Sequence, residues 1–123
     1  MNGGNYLVDT NILLYIVSGH QTLTEYLQKR SLFISVISEI EFLGYKNLSA
    51  SIDKSFRNFL KEFRVIYLDE IIKEEAINIR KQYNLKLPDA IVAATAISLD
   101  LPFISADKQF RQIKSLPLEV YEP

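Results

Sequence analysis

The 123 residues suffice for one domain with a single core, and 48% hydrophobic against 24% charged residues is the balance of an ordinary globular chain. A net charge of −1 argues against a protein that coats nucleic acid through bulk positive charge, and the absence of cysteine rules out disulfides and zinc–thiolate sites. Apolar runs stay well short of a membrane span and Met1-Asn2-Gly3-Gly4 carries no basic leader, so the expected compartment is the cytoplasm.

In chain order, Tyr6–Val8 reads as a short buried strand and Ile12-Leu13-Leu14-Tyr15-Ile16-Val17 as the start of a buried helix, with Asp9 at the joint. His20, the only histidine, sits beside Gly19 and is expected to be a surface loop residue. Further strands are expected at Leu32–Ser35, Val65–Leu68, Phe103–Ser105 and Leu118–Tyr121. Ile52, Phe56, Phe59, Leu60 and Phe63 recur at helical spacing, as do Ile72, Ala76, Ile79 and Tyr83. Ala90 to Ile97 is apolar nearly all round and rich in small residues, so it should be the most buried helix. Strands alternating with helices predict an α/β domain over residues 1–123. Its central parallel sheet has about five strands, flanked by helices on both faces.

Four acids stand out, each with a bland reading beside a chemical one. Asp9 and Asp107 each suit a helix cap. Ser38-Glu39-Ile40-Glu41 fits a capping box with Ser38 as cap, and Pro88-Asp89 is ordinary helix-start chemistry. Taken together they say more. Asp9 and Asp107 end strands, Glu41 falls in the first turn after another, and Asp89 opens the most buried helix. In a parallel sheet all four approach one edge. Carboxylates converging there repel one another unless a cation sits among them. Oxygen donors without histidine or cysteine select hard ions such as Mg2+ or Mn2+.

The stretches Leu7-Val8-Asp9-Thr10-Asn11, Ile37-Ser38-Glu39-Ile40-Glu41, Leu87-Pro88-Asp89-Ala90-Ile91-Val92-Ala93-Ala94-Thr95-Ala96 and Phe103-Ile104-Ser105-Ala106-Asp107-Lys108-Gln109-Phe110 resemble, in order, the four blocks of a PIN domain. The closest likeness is to VapC-type toxins of prokaryotic toxin–antitoxin pairs, over Tyr6 to about Tyr121. That resemblance implies a metal-dependent endoribonuclease with acids at Asp9, Glu41, Asp89 and Asp107, and Mg2+ or Mn2+ as cofactor. Asp9 would be the central ligand, completed by Asp89 and Asp107, with Glu41 holding a second ion or orienting water. The block alignment selects Glu41 over Glu39. The resemblance also implies RNA products with 5′-phosphate and 3′-hydroxyl ends, a homodimer, and a cognate antitoxin as partner.

Thr10, Asn11 and Ser105 are placed to hydrogen-bond the carboxylates and orient them. Helix-start chemistry accounts for Thr10 and Asn11 equally well. Lys46, Lys54, Arg57, Lys61 and Arg64 form a mild basic stretch that suits either RNA phosphates or a solvated helix face. Two other readings compete with the nuclease. A phosphorelay receiver domain fails on placement, because Asp9 is followed by Thr10 rather than a second acid and Asp53 lies inside a helical pattern. A PIN fold kept as a catalytically silent binding scaffold is the alternative to the nuclease.

Overall fold

The computed structural model describes residues 4–123; residues 1–3 of the expected 1–123 domain, and with them most of Met1-Asn2-Gly3-Gly4, lie outside the described residues. Five strands, β1 (Asn5–Val8), β2 (Ser31–Ser35), β3 (Phe63–Ile66), β4 (Phe103–Ser105) and β5 (Leu118–Val120), form one sheet in the order β3-β2-β1-β4-β5. Every pairing is parallel, as the alternation of strands and helices predicts. The helices are α1 (Thr10–Val17), α2 (Gln21–Leu27), α3 (Val36–Leu43), α4 (Ala50–Leu60), α5 (Glu70–Gln82) and α6 (Leu87–Leu99). A 3-10 helix, Lys108–Gln112, precedes β5.

Side chains alternate across the pleat, so each strand feeds two cores. Tyr6, Val8, Ile34 and Ile104 pack with Ile12, Leu13, Leu23 and Phe42 on one face of the sheet. Leu7 and Phe103 pack on the other, with Ile72, Ala76 and Ile79 of α5 and the alanines of α6. Helix α6 is the most buried, as its composition predicts: Ala90, Ala93, Ala94 and Ala96 are fully enclosed and bring its backbone close to the sheet. Thr95 is buried there too, its hydroxyl donating to the Ile91 carbonyl at 2.8 Å.

Several boundaries differ from expectation. The third strand runs Phe63–Ile66 rather than Val65–Leu68, because α4 ends at Leu60 and a turn at Lys61-Glu62 hands Phe63 to the sheet. Phe63 thus starts a strand instead of extending the helical face, while Tyr67 and Leu68 emerge exposed. Ile52, expected on that buried face, is 45% exposed on the first turn of α4. The capping-box reading of Ser38 is also overturned. Helix α3 starts immediately after β2 and is capped by Ser35, whose hydroxyl accepts from the Ile37 amide at 3.0 Å. Glu41 therefore lies in the second turn, not the first, and Ser38 is buried with its hydroxyl unpartnered among the described residues.

Helix α2 forms although Thr22 and Thr24 are weak helix formers, with Leu23 and Leu27 buried one turn apart. It begins after Gly19, whose φ of +94° closes the turn in a conformation that suits glycine. His20 is not a bare surface residue. It is half-buried, with its Nδ1 3.2 Å from the Tyr121 hydroxyl and its ring against Tyr15.

Candidate active site

The chain steps from β1 outward to β2 and β3, then returns to place β4 on the opposite side of β1. Strand order reverses between β1 and β4, and ligands in open α/β sheets bind in the crevice beyond the carboxyl ends of strands at such a point. Asp9 follows β1 and Asp107 lies two residues beyond β4. Because α6 leads back to the amino end of β4, its own first turn, with Asp89, stands at the carboxyl edge. Helix α3, rising from the same edge of β2, supplies Glu41. A cavity of about 460 Å³ lies here, lined by Asp9, Thr10, Asn11, Leu14, Glu41, Gly44, Tyr45, Asp89 and Asp107. All four predicted acids face it. Glu39 does not. A larger cavity of about 580 Å³ over α5 and α6 is lined mainly by aliphatic side chains with Lys73, Arg80 and Lys81, and holds no acid.

Asp9 is the anchor. It is only 7% exposed, yet its carboxylate is fully furnished with donors. The Thr10 amide donates to Oδ1 at 2.9 Å, and Oδ2 accepts from the Ser105 hydroxyl at 2.7 Å and the Asn11 side-chain amide at 3.3 Å. The cap reading of Asp9 is thus correct as far as it goes. Asn11 is itself fixed, its Oδ1 accepting from the Ala106 amide at 3.0 Å. Ser105 gives its hydrogen to Asp9 and accepts from the Asp107 amide at 3.0 Å, so β1 and β4 are stitched together at the switch point. Thr10 donates its hydroxyl to Glu41 Oε1 at 2.6 Å. Asp107 caps the 3-10 helix through the Gln109 amide at 3.0 Å.

Sequence reasoning passed over several contributors, Gln109 and Gly44 among them. Gln109 bridges two acids, its Nε2 donating to Asp107 Oδ2 at 2.6 Å and to Asp89 Oδ2 at 3.2 Å. Its position two residues after a capping aspartate was the only available signal. Gly44 ends α3 where a Cβ would meet the Ile40 carbonyl oxygen at 2.5 Å, so the chain turns into the cavity there without a side chain.

Electrostatics follow from the geometry. Burial pushes the Asp9 carboxyl up to about 6; the Ser105 and Thr10 hydrogen bonds pull it down, and the charges of Asp89 and Glu41 raise it again. Asp89 is raised as well, by burial first and then by Asp107 and Glu41, against the opposing pull of Lys86 and Gln109. A carboxyl whose folded pKa exceeds its unfolded value takes up protons on folding, so it favours the fold at low pH and costs stability as pH rises through that window. In chelator, wild-type stability should therefore fall between about pH 4 and 6.5 relative to Asp9→Asn, by on the order of 3 kcal/mol at 1.36 kcal/mol per unit. Parallel urea titrations of the two proteins across that range check it; curves that stay parallel would contradict the assignment.

The donor set fits a hard divalent cation in kind, being carboxylates with hydroxyl and amide support. Among the described residues, however, no three acids are already drawn together as a ready cation cage. The Gln109 amide, donating to both Asp89 and Asp107, lies between those two acids.

A family model described as PIN domain matches residues 6–116. Among solved structures, the chain is 32% identical to a toxin–antitoxin complex component from Klebsiella pneumoniae, covering 96% of this chain and 99% of that one with a TM-score of 0.82. VapBC2 from Rickettsia felis, solved bound to a DNA fragment from its promoter, gives 20% identity over 96% and 99% of the two chains and a TM-score of 0.81. VapBC-1 from nontypeable Haemophilus influenzae gives 24% identity over 94% and 97%, with a TM-score of 0.74. Among curated proteins none matches the chain significantly.

Proposed function

The chain belongs to the PIN domain family, and on that premise we propose that it is a divalent-cation-dependent endoribonuclease, the toxin of a toxin–antitoxin pair. The observation that carries the reading is the meeting of Asp9, Glu41, Asp89 and Asp107 on one cavity at the sheet's switch point. Support for the biological setting comes from the toxin–antitoxin relatives, above all the Klebsiella protein that this chain matches over nearly its whole length.

Asp9, Asp89 and Asp107 would hold Mg2+ or Mn2+, with Glu41 beside them. Bound there, the cation supplies Lewis-acid charge to the phosphate and lowers the pKa of water. The chain's own residues do the rest. Ser105, Asn11 and the Thr10 amide keep Asp9 in one orientation, which a buried carboxylate needs if it is not to reorganise during reaction. Thr10 engages one oxygen of Glu41 and leaves Oε2 to take a proton from the attacking water. That water forms the new bond to phosphorus as the bond to the 3′ oxygen breaks; that oxygen takes up a proton from solvent, and Glu41 releases to solvent the one it received. The products are a 5′-phosphate and a 3′-hydroxyl. Gln109 holds Asp89 and Asp107 in register, and its amide must yield to whatever they bind.

The partners we assign are an RNA substrate, a cognate antitoxin and a second copy of the chain. An antitoxin segment presenting a guanidinium to the four acids would meet their combined field and form charge-assisted hydrogen bonds. No helix among the described residues is long and apolar enough to cross a membrane. The second reading, a PIN scaffold without turnover, draws on the absence of a ready cation cage among the described residues. End-group analysis separates a water attack from an attack by the ribose itself. We expect 5′-phosphate and 3′-hydroxyl ends, and continued cleavage when the ribose at the cut site is 2′-deoxy. Cyclic 2′,3′-phosphate products would overturn the mechanism.

A further inference from the structure

The acids account for only part of the cavity's wall. Leu14 and Tyr45 line the same space and present apolar surface that neither a phosphate nor a cation uses. Tyr45 directly follows Gly44, past the end of the helix that bears Glu41, and is 45% exposed. Its hydroxyl makes no hydrogen bond among the described residues, and no other ring stacks on it there. By contrast the rings of Tyr6, Tyr15, Tyr26 and Tyr121 all have aromatic neighbours. An unengaged aromatic face beside a polar pocket is what an unstacked nucleobase packs against, and such packing tolerates any base because every base has a π face.

Building on the nuclease reading, we propose that Tyr45 is a stacking platform for one base next to the scissile phosphate. A base in a duplex would have to leave its own stack first, which costs binding energy. Tyr45 is a positioning residue: it orders the substrate, while the acids act on the phosphate. Tyr67 makes a useful contrast. It is 67% exposed and follows β3 at the same sheet edge, but does not line the cavity.

The test uses the Asp89→Asn chain, which should bind without cutting, with Mn2+ and a short single-stranded RNA carrying 2-aminopurine at successive positions. Adding Tyr45→Ala should weaken binding about 10-fold, within the range measured for single base–aromatic stacks. Tyr45→Phe should restore it and Tyr67→Ala should leave it unchanged. Removing one base from the RNA should cost the Tyr45 protein the same factor and cost Tyr45→Ala nothing further. The same sequence as a duplex should bind more weakly to the Tyr45 protein. Equal binding by Tyr45 and Tyr45→Ala, or an equal loss from Tyr67→Ala, would overturn the platform while leaving the nuclease in place. Neither binding nor cleavage of any RNA by the wild-type chain with Mn2+ would remove the nuclease reading and this one with it.

Discussion

Asp9→Asn is expected to lower cation-dependent RNA cleavage by about 100-fold or more, the scale on which loss of one preorganised electrostatic group acts. It should do so without unfolding the chain. Asn keeps an oxygen for the Thr10 amide, so the cap of α1 survives. It removes a charge that burial holds at a disadvantage, so in chelator the variant should melt at the same temperature as wild type or higher. With Mg2+ or Mn2+ the order should reverse. Wild type gains by mass action, about 2.7 kcal/mol at a free concentration 100 times Kd, and the variant gains less. Thermal melts of both proteins with chelator and with each ion measure this. A variant that is plainly less stable in chelator would mean that Asp9 serves the fold first, and the cation argument would lose its anchor.

Phe110→Ala should have the largest effect on stability. Phe110 sits in the 3-10 helix that Asp107 caps, is fully buried, and meets Phe103 of β4 edge-on with ring centroids 5.0 Å apart. Truncating a buried phenylalanine costs about 3–5 kcal/mol, a large part of what a domain of this size has to spare. The urea midpoint should drop with little change in slope. Because the same helix carries Gln109, the variant should also lose most of its Mg2+-induced rise in melting temperature under conditions where it is still folded. A cost below about 1 kcal/mol would show that this helix is not docked as described.

Much of this site is readable before folding because strand-to-helix joints leave a local signature. Asp9, Thr10 and Asn11 follow a buried strand at once, and Ser105 to Asp107 repeat the pattern. Parallel pairing then brings these joints to one edge. What the chain hides is decided by tertiary contacts. Two serines three residues apart, Ser35 and Ser38, each suit a cap, and only the point where β2 leaves the sheet chooses between them. Phe59, Leu60 and Phe63 keep helical spacing across the end of α4, so the turn at Lys61-Glu62 goes unseen. Gln109 and Tyr45 belong to the site through a turn of 3-10 helix and a glycine-ended helix, geometries that hydrophobic periodicity does not report. His20 gained its partner from Tyr121, a hundred residues away in sequence.

If the four acids make a cation-dependent phosphodiester-cleaving site, cleavage must need both the ion and the acids. The most direct measurement incubates the purified chain with structured and single-stranded RNA in Mg2+ or Mn2+, beside an EDTA control and the Asp89→Asn variant. Asp89 is the acid to change because it hydrogen-bonds neither Asp9 nor a backbone amide: its hydrogen-bond partner among the described residues is Gln109. Cleavage that vanishes both in EDTA and in Asp89→Asn is the predicted result. Cleavage that persists in either, or a folded wild type that takes up Mn2+ and leaves every RNA intact, would contradict it.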